Sequence, residues 1–270
     1  MSIVHKKFVW HILFQKNYSI ACNDISGFSV FICPYIDFQN MEKKEKKSIL
    51  YSPFSLVCII SICPIFIVFI CYAFAYFNNH ITFQKSIPMI SQVMVRLPEC
   101  RIYSVCMNLV AWTALPIFLI IDRILKLKCK IEKCHKHVTV YCLRWLMNIC
   151  AGFSFFGMIG MASINIDERI QFHNNCVCIF VVFMTLYFFL IDYEMVQAKL
   201  NVKTFHVFLS FVGISLFTVS YILMKKDDDF LQSVSAVIQI IAIPCMSMKF
   251  LIIWKTLPAS GILITHKKEQ

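Results

Sequence analysis

Two polar clusters interrupt a mostly apolar sequence and carry the side chains best suited to chemistry. The first, in residues 78–101, holds Ser91, Glu99 and Arg101 around Pro88 and Pro98. The second holds Asp167, Glu168, Arg169 and His173, with His173-Asn174-Asn175 opening an apolar run. A carboxylate and an imidazole at a membrane surface can serve as acid and base, so Glu99 and His173 are the candidate catalytic residues. Ser91, Arg101, Asp167, Asn174 and Asn175 supply hydroxyl, guanidinium, carboxylate and amide groups able to hold a lipid head group. The plainer reading of the same residues is a set of solvated loop polars and a helix cap.

Other constellations are weaker. Cys129-x4-Cys134-His135-x-His137 has the four ligands of a structural zinc site. Six basic residues surround it, however, and no spacer separates the cysteines from the histidines. No metal is expected there, and S-palmitoylation of a juxtamembrane cysteine is an equal alternative. Asn17-Tyr18-Ser19 is a glycosylation sequon. G-x-S-x-G, H-E-x-x-H and Gly-rich phosphate loops are all missing from a sequence with only six glycines. No cofactor is expected.

The elements that must position these groups are membrane helices. Apolar residues make up 59% of the chain and charged residues 15%. A soluble domain carries about 25% charged residues. Mean hydropathy is +0.70. Six runs approach the ~20 apolar residues that a span requires: Phe54–Phe77, Ile102–Ile121, Val138–Ile164, Cys176–Ile191, Phe205–Met224 and Val234–Trp254. The fourth is short and begins near Asn174. The runs are continuously apolar rather than alternating, which predicts an all-α, polytopic six-transmembrane-helix bundle and not a barrel. The division that follows is a cytosolic N-terminal segment 1–49, expected to be poorly ordered, a membrane domain 50–257 and a cytosolic tail 258–270.

Basic residues orient the bundle. Fifteen Lys and Arg flank the N-terminal segment, the 2–3 and 4–5 loops and the tail, against six on the other side. Cytosolic loops carry that excess, so both termini are expected in the cytosol. The same placement explains the net charge of +11 without a nucleic-acid partner.

Two charges fall inside spans, Arg144 in the third and Lys249 in the sixth. Both lie toward the cytosolic end, where a long side chain is expected to snorkel to the interface. Pro64, Pro116 and Pro244 are expected to kink their helices. Gly152, Gly157, Gly160 and Ala162 give the third span a small-residue packing face. Only Asn148 and Gln239 add conspicuous polarity elsewhere within the spans, too little for a carrier built on midplane polar groups.

Pro88-Met89-Ile90-Ser91, then Pro98-Glu99 and Ile102-Tyr103, resembles the first lumenal loop of a superfamily. It unites GPI-anchor lipid-remodelling factors with damage-regulated autophagy modulators. Phe172-His173-Asn174-Asn175, Trp254 and Ile262-Leu263-Ile264-Thr265 resemble the post-GPI attachment to proteins factor 2 family in particular. The resemblance covers roughly residues 50–266. It implies a multi-pass Golgi protein, with the ER membrane as the next candidate, needed where lyso-GPI is reacylated. Its partners would be lyso-GPI or GPI-anchored proteins on the lumenal leaflet, and possible membrane-protein partners. Acyl transfer by the chain itself is implied by resemblance only. The chain departs from the family pattern at Gln239 (usually acidic), Phe250 (usually His) and Lys255-Thr256 (usually an aromatic then Asp). A divergent member acting as a non-enzymatic membrane regulator or scaffold is therefore the alternative.

Overall fold

A computed structural model of the chain describes residues 12–14, 18–20, 28–34, 49–51, 53–83, 86–132, 138–226, 228–257 and 260–266. Residues 1–55 with 257–270 form one compact unit and residues 56–256 another.

The first unit contains short strands. β1 (Ile12–Phe14) pairs antiparallel with β2 (Tyr18–Ile20). β3 (Phe28–Pro34) and β4 (Ile49–Tyr51) flank β5 (Ser260–His266), both antiparallel, giving the order β3-β5-β4. Phe28 faces His266 and Pro34 faces Ser260 in the β3–β5 register. β3 and β5 are rich in Val, Ile and Phe, which suit a pleated surface, and hydropathy scanning for spans does not register runs this short.

The second unit is helical. α1 (Phe54–Phe77) enters from the first unit, α2 (Ile90–Val93) is a single turn, and α3 (Glu99–Ile131) follows. Then come α4 (Val138–Ser163), α5 (Ile170–Gln197), α6 (Thr204–Met224) and α7 (Asp229–Thr256). Among the described residues six helices are long and apolar enough to cross a membrane, the fold class that the sequence predicts. Loops 78–89, 164–169 and 225–228 connect the spans at one end of the bundle, here the Ser91 end. Residues 132–137 and 198–203 connect them at the other, the Lys199 end.

Each helix buries one stripe and gives the other to lipid. In α1 the buried positions Val57, Ile60, Pro64, Ile67, Val68, Cys71 and Ala75 recur every three or four residues. Phe66, Phe69 and Phe74 on the other side are exposed, a pattern that only a lipid solvent permits. Because lipid is as apolar as leucine, close packing and hydrogen bonds must hold the helices together. The small-residue face of α4 does this. A Cβ on Gly157 would come within 2.6 Å of Phe180 N and 2.9 Å of Cys176 O. One on Gly160 would collide with Cys176 Sγ, whereas Gly152 faces open space.

Two helices outrun their hydropathy. α3 continues ten residues past Ile121 and α5 six past Ile191. Hydropathy marks where lipid ends, and Arg, Lys, Leu and Glu keep a helix going beyond it. Beyond the spans Glu132 bridges Lys128 at 3.3 Å and Lys199 at 3.2 Å. These lysines hold its carboxyl below the usual glutamate range.

Arg144 and Lys249 do not snorkel. Lys249 is fully buried, with Nζ 2.6 Å from Asp192 Oδ2 and 2.7 Å from the His206 carbonyl. Arg144 donates from Nη2 to Glu194 Oε2 at 3.0 Å, and its Nε lies 3.6 Å from Asp122 Oδ1. A charge with a buried counter-ion nearby has no need to reach the interface.

Candidate functional site

The C-terminal turn of α1 sets up the Ser91 end. Asn79 adopts a left-handed conformation, φ 57°, which Asn tolerates better than most residues. The His80 amide donates back to Ala75 O at 2.8 Å, closing the helix. The turn brings Asn78 and His80 together on Glu99, the first residue of α3. Asn78 Nδ2 donates to Glu99 Oε1 at 3.2 Å, and His80 Nδ1 is 3.1 Å from both carboxylate oxygens. Glu99 is wholly buried and His80 partly exposed. Glu99 therefore meets Asn78 and His80 and is closed off from solvent. His80 was not among the candidates read from sequence, because nothing in its spacing from Glu99 marks a contact made by a loop.

The loop ahead of α3 is tied down at several points. Tyr72 Oη donates to Pro88 O at 2.6 Å, and the Ile87 amide to Ser233 Oγ at 2.9 Å. Asn165 Nδ2 donates to Val95 O at 2.8 Å, binding the second polar cluster to the first.

Between these loops and the bundle interior lies a cavity of about 440 Å³, to which all six spans contribute. Ser91, Arg101, Glu168, His173 and Asn174 stand at its Ser91 end. Deeper, the walls are Met107, Val110, Met158, Val181, Ile214 and Met246, with little polarity. Four sequence candidates thus line one space: Ser91, Arg101, His173 and Asn174. Asp167 and Asn175 are exposed and stand outside the lining, and Glu99 lies behind it.

His173 is nearly buried, and its Nδ1 lies 2.8 Å from Ile164 O. A carbonyl only accepts, so Nδ1 carries the proton and Nε2 is the basic nitrogen. Lys225 lies over the Tyr221 ring at 4.6 Å, and Tyr221 also lines the cavity.

Below the cavity, toward the Lys199 end, the layers follow from helix periodicity. Ala114 and Met184 line the cavity on α3 and α5. One turn further stand Phe118 and Phe188, and one turn beyond those Asp122 and Asp192. Phe118 meets the Tyr187 ring edge-on at 4.8 Å and Phe250 at 5.9 Å, while Phe188 meets Phe250 at 5.1 Å. Beneath this aromatic layer sit the ion pairs, Arg144 with Asp122 and Glu194, and Lys249 with Asp192. His206 Nε2, 3.0 Å from Thr256 Oγ1, joins the second group.

The departures from the family pattern are absorbed by this packing. Phe250 belongs to the aromatic layer, Thr256 bonds His206, and Gln239 lines the cavity with Nε2 4.0 Å from Met89 Sδ. The acidic partners Asp122, Asp192 and Glu194 lie one to three residues outside the six apolar runs, so the runs themselves offer Arg144 and Lys249 no counter-ion. Cys129 is buried in α3, while Cys134, His135 and His137 lie outside the described residues, as do Asn17 and most of the N-terminal segment.

A family model described as the Frag1/DRAM/Sfk1/Cwh43P N-terminal domain matches residues 53–259. Neither curated proteins nor solved structures give a significant match.

Proposed function

The chain belongs to the Frag1/DRAM/Sfk1/Cwh43P N-terminal domain family, and on that premise we propose that it remodels the fatty acids of GPI anchors in the Golgi membrane. The observation that carries this reading is the cavity, polar at the Ser91 end and apolar below, inside a multi-pass bundle. A lipid is the ligand with that division of polarity. The excess of basic residues around the Lys199 end supports a cytosolic position for it and for both termini. The Ser91 end then opens at the lumenal leaflet, where GPI lipid lies.

The reaction proposed is reacylation. His173 Nε2 takes the proton of the lyso-lipid hydroxyl as its oxygen attacks the carbonyl carbon of an acyl ester or thioester donor. A new C–O bond forms, the donor's C–O or C–S bond breaks, and the proton passes from Nε2 to the leaving group. Arg101 and Asn174 hold the phosphate-bearing head group during the exchange.

Expression in cells lacking the remodelling factor tests this reading. Recovery of surface GPI-anchored proteins is expected, with loss of recovery for His173→Ala at equal protein level. Failure of the wild-type chain to restore surface display would refute remodelling. The second reading, a non-enzymatic regulator or scaffold, is favoured by one observation. Phe250 and Thr256, where the family usually has ionisable groups, are used here for packing and a helix-to-helix hydrogen bond. Lysosomal or plasma-membrane localisation without rescue would support it.

A further inference from the structure

We propose that the aromatic layer under the cavity is a stop that measures one acyl chain. The inference rests on the cavity being a lipid site and adds which chain it takes. Arg101 to Ala114 on α3 and His173 to Met184 on α5 span the lining from rim to floor. At 1.5 Å per residue these are about 20 Å and about 16 Å. Half a bilayer's hydrocarbon core is about 15 Å, so the cavity reaches through one leaflet and stops.

The stop is built from rings. Phe118, Tyr187, Phe188 and Phe250 contact one another across α3, α5 and α7, with Tyr187 and Phe188 fully buried. Directly beneath them are buried charges, with Lys249 Nζ 6.0 Å from the Phe188 ring centre. A methyl end pushed past the rings would meet Asp192 and Lys249 and break their pairing, so the floor cannot yield cheaply. An extended chain advances about 1.25 Å per carbon, from its bond length and angle. A depth of about 16–20 Å therefore holds about 13–16 carbons.

The ligand class is a single-chain lipid with an anionic phosphate. Arg101 at the rim supplies the cation for it. The cavity's lower part is lined by Ala114, Met184 and Met246.

The test uses protein purified in a steroid-based detergent, which has no acyl chain to compete. Thermal stabilisation is measured against lysophosphatidic acids lengthened two carbons at a time. Stabilisation is expected to peak at about 14–16 carbons, the even lengths that such a depth holds, and to fall for longer chains. Phe250→Ala opens about one helical turn and should move the peak up by about four carbons. Phe250→Leu, a milder change, should move it the same way by less. Ala114→Leu should move the peak down by about two carbons. Arg101→Gln should weaken every chain alike and leave the peak in place. An unmoved peak in all floor variants, or stabilisation that keeps rising with chain length, would overturn the ruler and leave the lipid site standing. No stabilisation by any member of the series would overturn both.

Discussion

Replacing Lys249 by Met separates a snorkelling lysine from a buried counter-ion. The two side chains are of similar length, and Met suits an apolar interior. If Lys249 reached the interface, the change would remove an exposed charge and cost almost nothing. In the structure it would instead strand Asp192, which is 3% exposed and receives Lys249 Nζ at both oxygens, 2.8 and 2.6 Å. Ser210 Oγ at 3.4 Å and His206 Nδ1 at 3.8 Å are the weak polar neighbours left to it. Removing one member of a buried pair costs about 3–5 kcal/mol, since the other charge stays behind. For a chain of this size each kcal/mol moves a melting midpoint by about 2–4 °C, so a fall on the order of 10 °C is expected. The measurement is loss of monodisperse protein on heating, followed by fluorescence-detected size exclusion. Asp192→Asn alone should also destabilise. The double variant Asp192→Asn/Lys249→Met should lose less than the sum of the two, with a coupling of about 0.5–3 kcal/mol. A neutral Lys249→Met, or strict additivity in the double variant, would show that the pair does not hold α5 to α7.

Gly157→Ala forces a methyl onto the Phe180 amide and should cost about 1–3 kcal/mol by overpacking. Gly152→Ala, with nothing within 4 Å, should be neutral or stabilising in the same heating assay. Asn79→Ala places a less tolerant residue in the left-handed turn and should cost about 1–2 kcal/mol, whereas Asn79→Gly should be tolerated. Comparing the two by cysteine labelling at His80→Cys would report whether the turn still delivers that side chain to Glu99. The Glu132 bridges favour the ionised carboxylate, so they are intact above the ordinary glutamate range and weaken as pH falls through the depressed value. Cross-linking of Lys199 to Glu132 with a carboxyl-activating reagent should therefore decline on acidification.

The membrane fold was legible because lipid imposes a length and an apolarity on each helix, and Phe54–Phe77 was located from those alone. Ser91, Arg101, His173 and Asn174 were legible as candidates because polar side chains are conspicuous beside apolar runs, and the structure brings those four to one cavity. What escaped lies where local pattern is silent. Asp122 and Asp192 stand immediately after apolar runs and look like ordinary interfacial carboxylates. Only the extension of α3 and α5 places them inside the packed bundle. His80 meets Glu99 through a left-handed turn nineteen residues away in sequence. The aromatic layer is scattered over three helices whose rings are, one at a time, unremarkable members of a sequence with 26 phenylalanines.

The stacking of Met184, Phe188 and Asp192 on one face of α5 fixes more than their depth. Turning the helix by one residue is a rotation of about 100°. It would swing the cavity wall, the ring and the carboxylate away from their partners simultaneously. Since Lys249 and Ser210 hold α5 by that carboxylate, they act as an index pin for the whole shaft. The charges at one end of the bundle thereby keep the rotational setting of a void that they never touch.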